Sequence, residues 1–270
     1  MTFVAAILLG VIQGLTEFLP VSSSAHLILA RAFFGWEVPP DLGLALDVAL
    51  HIGTLVAILL FFRGEIAAMV AALPSIFQRQ PGEAGWLLRR IVVGTVPVVV
   101  VGLLFSDYIE EVLRTPAVEA AALTLGAVGM LIAERVGSRD RSEPDMDWVD
   151  AVAIGCAQAA ALVPGISRSG ATITVGLFLG MRRDAAARFT FLLAIPATAA
   201  AAAKEALEVI RLDVPIAGLQ MFAAGILVSA GVGYVTIKYF LRFLAGHRLD
   251  VFAYYRLALA AATVAWLFTR

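Results

Sequence analysis

Six stretches of this chain are apolar for close to the length of a membrane-spanning helix: Leu46–Phe62, Ile91–Phe105, Val118–Ala133, Phe189–Glu208, Ile216–Ile237 and Phe252–Phe268. A spanning helix needs ~20 predominantly apolar residues, and Ile91–Phe105 falls shortest of that length. Two further apolar stretches are interrupted by polar and turn-forming residues. One runs from about Phe3 to Gly35 and is broken at Pro20-Val-Ser-Ser-Ser24; the other runs from about Val152 to Gly180 and is broken at Pro164-Gly-Ile-Ser-Arg-Ser-Gly170. The pattern predicts an all-α polytopic membrane protein, with about six transmembrane helices and two re-entrant helix-loop-helix hairpins.

The interrupted stretches overlay at a shift of 145 positions, which pairs Gly10 with Gly155, Gln13 with Gln158, Ser22 with Ser167, Ser24 with Ser169, Phe33 with Phe178 and Gly35 with Gly180. Both breaks fall at the same place in the unit, and a spanning candidate follows each. The expected organisation is a single membrane domain over residues 1–270, with repeat halves at about 1–115 and 150–270. If the hairpins are re-entrant and the six stretches span, thirteen of the twenty Lys and Arg residues fall on one side and five on the other, while Arg168 and Arg256 lie within apolar segments. The basic side is expected to be cytoplasmic. Hairpin one then enters from outside and hairpin two from the cytoplasm, an inverted-topology repeat whose site lies near the midplane where broken helices meet.

Composition agrees with a lipid environment. Apolar residues make up 61% of the 270 and charged residues 15%, with a mean hydropathy of +0.91. A soluble domain carries about 45–50% apolar and about 25% charged residues, and the excess cannot be hidden in one core of this size. The net charge of -1 argues against a nucleic-acid partner. Cys156 is the only cysteine, which excludes an internal disulfide or a thiolate metal cluster; its apolar neighbours suggest a small packing residue. The apolar run from Phe3 to Val11 lacks a basic lead-in and a following cleavage site, so a removed signal peptide is not expected.

The chemistry concentrates in the two breaks. Gln13 and Glu17 are four apart and share a helix face. Pro20 ends that helix, and Ser22, Ser23 and Ser24 suit the start of another, where exposed backbone N–H groups favour an anion. A glutamate inside an apolar segment is expensive for a lipid-facing side chain and marks a functional site; its bland alternative is a structural hydrogen bond between helices. His26, with a carboxylate and serines nearby, points to acid–base or nucleophilic work. In the second break, Gly165 and Gly170 allow close backbone approach and successive N–H groups there can cradle phosphate oxygens. Arg168 adds a permanently charged bidentate clamp. His51, at helical spacing from Asp47, weighs less, as do Asp145, Asp147 and Asp150, which suit helix N-termini. Ala199–Ala203 reads as close helix packing, and Trp36, Trp86, Trp148 and Trp266 as interfacial aromatics.

Taken together the breaks resemble those of the bacterial undecaprenyl-diphosphate phosphatases of the bacitracin-resistance family. That family carries an element [E/Q]-x-x-x-E, here Gln13 to Glu17, and an element P-G-x-S-R-S-G-x-T, matched in full from Pro164 to Thr172. The resemblance extends along essentially the whole chain. It implies hydrolysis of undecaprenyl diphosphate to undecaprenyl phosphate and inorganic phosphate, recycling the lipid carrier for cell-wall synthesis and conferring bacitracin resistance. By position, Glu17, Ser23, His26 and Arg168 match the family's essential residues, while Ser22, Ser167, Ser169 and Thr172 match its polar lining.

The resemblance further implies a divalent cation, Mg2+ or Ca2+, at Glu17 with Gln13 nearby; glutamine there leaves one carboxylate fewer. It places the protein in the bacterial inner membrane with its site open to the periplasmic side, among membrane lipids and with a polyprenyl diphosphate as substrate. A homodimer is left open, and so is the nucleophile, with His26 favoured and Ser23 assisting. The competing reading is a transporter or flippase of a phosphorylated polyprenyl lipid, because broken helices in inverted repeats are also a transporter architecture.

Overall fold

The computed structural model describes residues 3–36, 40–113, 115–209 and 216–268. These form eleven α-helices: α1 (Phe3–Thr16), α2 (Ser23–Phe34), α3 (Pro40–Phe61), α4 (Arg63–Ala71), α5 (Gly82–Tyr108), α6 (Pro116–Val136), α7 (Trp148–Ala160), α8 (Arg168–Phe178), α9 (Arg183–Val209), α10 (Ile216–Leu244) and α11 (Asp250–Phe268). Five helices, α5, α6, α9, α10 and α11, contain segments long and apolar enough to cross a membrane. A sixth follows if the pair Ala45–Phe61 and Arg63–Ala71, bent by 74° at Phe62, is one span. All six apolar stretches of the sequence therefore lie on helices, and the short one, Ile91–Phe105, belongs to the 27-residue α5. The basic residues Arg114, Arg211 and Arg270 lie outside the described residues.

The two interrupted stretches fold as short helix pairs. α1 and α2 have 14 and 12 residues, α7 and α8 have 13 and 11. At 1.5 Å per residue each arm is about 21 Å or less, short of the ~30 Å hydrocarbon core. No arm crosses a bilayer alone, which is the geometry of a re-entrant hairpin.

The repeat recurs in backbone detail. Ser22 and Ser167 both take positive φ, 73° and 64°, and Gly35 and Gly180 do likewise at 61° and 80°. Such a conformation is uncommon for serine, so its occurrence at paired positions shows one turn built twice. Gln13 and Gln158 are both buried, and Phe33 and Phe178 are both exposed. Gly10 and Gly155 both stand where a neighbouring helix comes close.

The chain divides into two compact units, residues 1–19, 23–61 and 194–240 in one, and 20–22, 62–193 and 241–270 in the other. In the first, hairpin one packs against α10, an element of the second half. A Cβ on Gly14 of α1 would lie 2.8 Å from Val232 Cβ and 2.9 Å from the Ser229 carbonyl oxygen. α3 meets the same helix, with Ser229 Oγ donating to the Leu50 carbonyl at 3.0 Å. In the second unit, hairpin two packs against α5 of the first half: a Cβ on Gly155 would come within 2.3 Å of the Gly94 carbonyl oxygen. Small residues at such crossings let backbones approach where lipid removes the usual hydrophobic drive.

The surface is correspondingly apolar; Leu103, Leu125 and Leu227 are each more than 70% exposed. Buried positions instead hold Gln13, Gln158, Glu134 and Arg256. Cys156, read from its neighbours as a packing residue, is exposed on α7. Apolar neighbours in a lipid-facing helix do not distinguish inside from outside, which is why that expectation fails. Asp147 caps α7 by accepting the Asp150 N–H at 2.9 Å, as its position predicts.

Candidate active site

Hairpin one converges on a single carboxylate oxygen. Glu17 follows the last turn of α1, its N–H still donating to the Gln13 carbonyl at 3.0 Å. Pro20 cannot continue the helix, the chain turns, and Ser22 at positive φ delivers Ser23 to the head of α2. Glu17 Oε2 then accepts from Gln13 Nε2 at 3.0 Å and from Ser23 Oγ at 2.7 Å. His51 Nε2, on α3, lies 3.7 Å from the same oxygen. The Glu17 side chain is only 6% exposed. His26 is half-buried on α2, three residues from Ser23 and so on the same face. Asp47, weighed as a partner for the His51 ring, has its carboxylate taken by Arg31 through both terminal guanidinium nitrogens.

Gln13 Oε1 is buried and without a hydrogen-bond partner, so a carboxylate and an orphaned amide oxygen stand one helical turn apart. Hard oxygen ligands of this kind suit Mg2+ or Ca2+, which commonly take few protein carboxylates and complete their shells with water and substrate phosphate. Among the described residues no three His, Cys, Asp or Glu side chains gather as a metal cluster. The residues fit a cation shared with a phosphorylated substrate rather than an all-protein cage.

Hairpin two builds a turn and a helix head. Gly165 has φ of 91°, and a Cβ there would lie 2.6 Å from the Glu119 carbonyl oxygen. Ser167 caps α8, its Oγ accepting the Gly170 N–H at 3.2 Å. Arg168, half-buried, is the first residue of that helix. Ser169 is buried, with its Oγ 3.4 Å from that of Ser167. Thr172 is fully buried; its Oγ1 donates to the Arg168 carbonyl at 2.7 Å and accepts from Thr190 at 2.9 Å. Thr172 thus braces the turn from behind.

The residue that sequence reasoning passed over is Arg256 on α11, which it noted only as lying in an apolar segment. It is fully buried, and its guanidinium donates to the carbonyls of Gly165 and Ile166 at 3.2 and 3.0 Å, of Ala122 and Leu123 at 3.2 and 3.3 Å, and of Pro20 at 3.5 Å. With the Gly165 and Ile166 carbonyls held towards Arg256, the conformation of the Pro164–Gly170 turn is set from behind. The cost of a charged side chain in a span was the signal that could have found it.

A family model for the bacitracin resistance protein BacA matches residues 6–262. The chain belongs to this family. Curated relatives named undecaprenyl-diphosphatase cover nearly its whole length. One from Rubrobacter xylanophilus is 46% identical over 267 residues, 97% of each chain. Another from Moorella thermoacetica is 42% identical over 269 residues, 99% of each, and one from Idiomarina loihiensis is 42% identical, covering 96% of this chain and 97% of its own. Membership of the BacA family agrees with both motifs read from the sequence.

Proposed function

We propose that this chain hydrolyses undecaprenyl diphosphate to undecaprenyl phosphate and inorganic phosphate, and that Glu17, Ser23, His26 and Arg168 carry the reaction. The hydrolase reading rests on the family and on relatives of that name. The assignment of roles is supported chiefly by one observation, the Ser23 hydroxyl donating to Glu17 at 2.7 Å.

A serine hydroxyl is a weak nucleophile until a neighbouring base takes its proton. Ser23 Oγ attacks the terminal phosphorus as Glu17 accepts that proton. The bond from this phosphorus to the bridging oxygen breaks, and undecaprenyl phosphate leaves with the electron pair. Water then attacks the phosphoserine, giving up a proton to His26, and Ser23 regains its hydrogen from Glu17 as inorganic phosphate departs. Arg168 and the head of α8 offset the charge on the phosphoryl oxygens. A divalent cation held by Glu17 and Gln13 would supply further charge neutralisation on the diphosphate. Freed carrier re-enters cell-wall synthesis, which is how such an enzyme confers bacitracin resistance.

The excess of Lys and Arg on one set of loops supports a cytoplasmic position for that face of the inner membrane, with the site opening to the periplasm. Quenching in neutral detergent, which leaves both phosphoserine and acid-labile phosphohistidine intact, after mixing with undecaprenyl diphosphate labelled in its terminal phosphate tests the mechanism. Label should remain on the wild-type protein and be absent from Ser23→Ala. Label of equal amount on Ser23→Ala would remove Ser23 as nucleophile and return that role to His26.

A further inference from the structure

We propose that His51 is a positioning residue for this reaction, holding the Glu17 carboxylate from α3 in the orientation that receives the Ser23 proton. The inference rests on the hydrolase reading and adds to it a residue outside both sequence motifs.

The terminal torsion of a glutamate is broad and roughly two-fold, so a carboxylate that must present one oxygen to one hydroxyl has to be pinned. Gln13 Nε2, Ser23 Oγ and His51 Nε2 face Glu17 Oε2. Gln13 and Ser23 belong to the hairpin that carries Glu17 and move with it. His51 comes from another helix, in a stretch with little freedom. Leu50, the residue before it, accepts from Ser229 of α10 through its carbonyl at 3.0 Å. Gly53, two residues on, leaves no room for a side chain, since a Cβ would lie 2.5 Å from the Ile226 carbonyl oxygen. The turn of α3 that carries His51 is thereby seated on α10.

The ring itself is oriented. Nδ1 lies 2.8 Å from the Asp47 carbonyl oxygen, and a carbonyl only accepts, so Nδ1 is the donor. Nε2 is then the ring atom turned to the carboxylate, and it donates to that oxygen when the imidazole carries its second proton. The His51 side chain is 37% exposed against 6% for Glu17. At 3.7 Å the contact is longer than a hydrogen bond, and contacts of this kind tighten when substrate binds.

Phosphate release from undecaprenyl diphosphate by the full-length protein in detergent, with melting followed in parallel, decides the matter. His51→Leu should lower kcat by about 10- to 100-fold with KM nearly unchanged, the scale expected when a catalytic group is misplaced by about 1 Å. His51→Gln, which keeps an N–H donor at similar reach, should recover most of that loss. In a Glu17→Gln background, His51→Leu should add little, because the two residues act as one unit. The proposal is overturned if His51→Leu turns over like wild type. It is equally overturned if Leu and Gln variants lose activity alike in step with melting temperature, or if KM rises while kcat holds. Absence of phosphate release by the wild-type protein would overturn the hydrolase reading itself.

Discussion

Ser23 and Glu17 are joined by a hydrogen bond of 2.7 Å in which the serine hydroxyl is the donor and the carboxylate oxygen the acceptor. A hydroxyl held this way against a carboxylate is placed to give up its proton to it, the geometry that the proposed base and nucleophile require. Glu17→Gln preserves shape and removes the proton acceptor. It should lower kcat about 10²- to 10⁴-fold, the usual worth of a general base. Ser23→Ala should fall as far, and the double variant should be little worse than either single one. Steady-state phosphate release measures all three.

Arg256 satisfies five backbone carbonyls with one guanidinium. Replacing it with methionine keeps bulk but leaves buried acceptors unpaired, each costing about 1–3 kcal/mol. The expected result is a loss of at least several degrees in melting temperature, together with a loss of activity because the Pro164–Gly170 turn relaxes. Arg256→Lys should rescue little, since a single ammonium cannot reproduce the fork. Thermal melting and turnover, measured on the same preparations, test the expectation.

The loop ahead of α7 contains two carboxylates displaced in opposite directions. The backbone N–H and hydroxyl of Ser142, each 2.8 Å from Asp145 Oδ2, hold the Asp145 carboxyl below the ordinary aspartate range. Burial pushes Glu143 above its ordinary range despite Arg188 alongside. For Asp145 the folded value is the lower one, so its stabilisation is present above the unfolded pKa of about 3.9 and is lost as pH falls through the folded value. For Glu143 the folded value is the higher one, so its contribution is fully present below the unfolded value and disappears as pH rises through the folded one. Asp145→Asn should therefore melt with a weaker dependence on pH below about 4 than wild type. Glu143→Gln should flatten the dependence on the other side of that value. Melting curves between neutral and acidic pH separate the two.

Much of this protein was legible in its sequence. Long apolar runs in a chain with few charges leave helices in lipid as the available fold, since every backbone polar group must be satisfied within its own segment. Fixed-offset identities marked the repeat, and the structure repeats it down to the positive φ of Ser22 and Ser167. Glu17 and Arg168 were visible because charge inside an apolar segment is costly and stands out. The exposure of Cys156 was not legible, because lipid and protein interior ask for the same side chains.

Partnership was decided by tertiary structure alone. The sequence placed His51 beside Asp47, one helical turn away; packing gave the Asp47 carboxylate to Arg31 and turned the ring to Glu17. It marked Arg256 as a charge in a span but not as the holder of the Gly165 and Ile166 carbonyls. Periodicity and composition report what each segment requires of its solvent. Which oxygen a given nitrogen faces depends on how helices distant in the chain cross, and those crossings are set by shape at Gly14, Gly53 and Gly155 rather than by any local pattern.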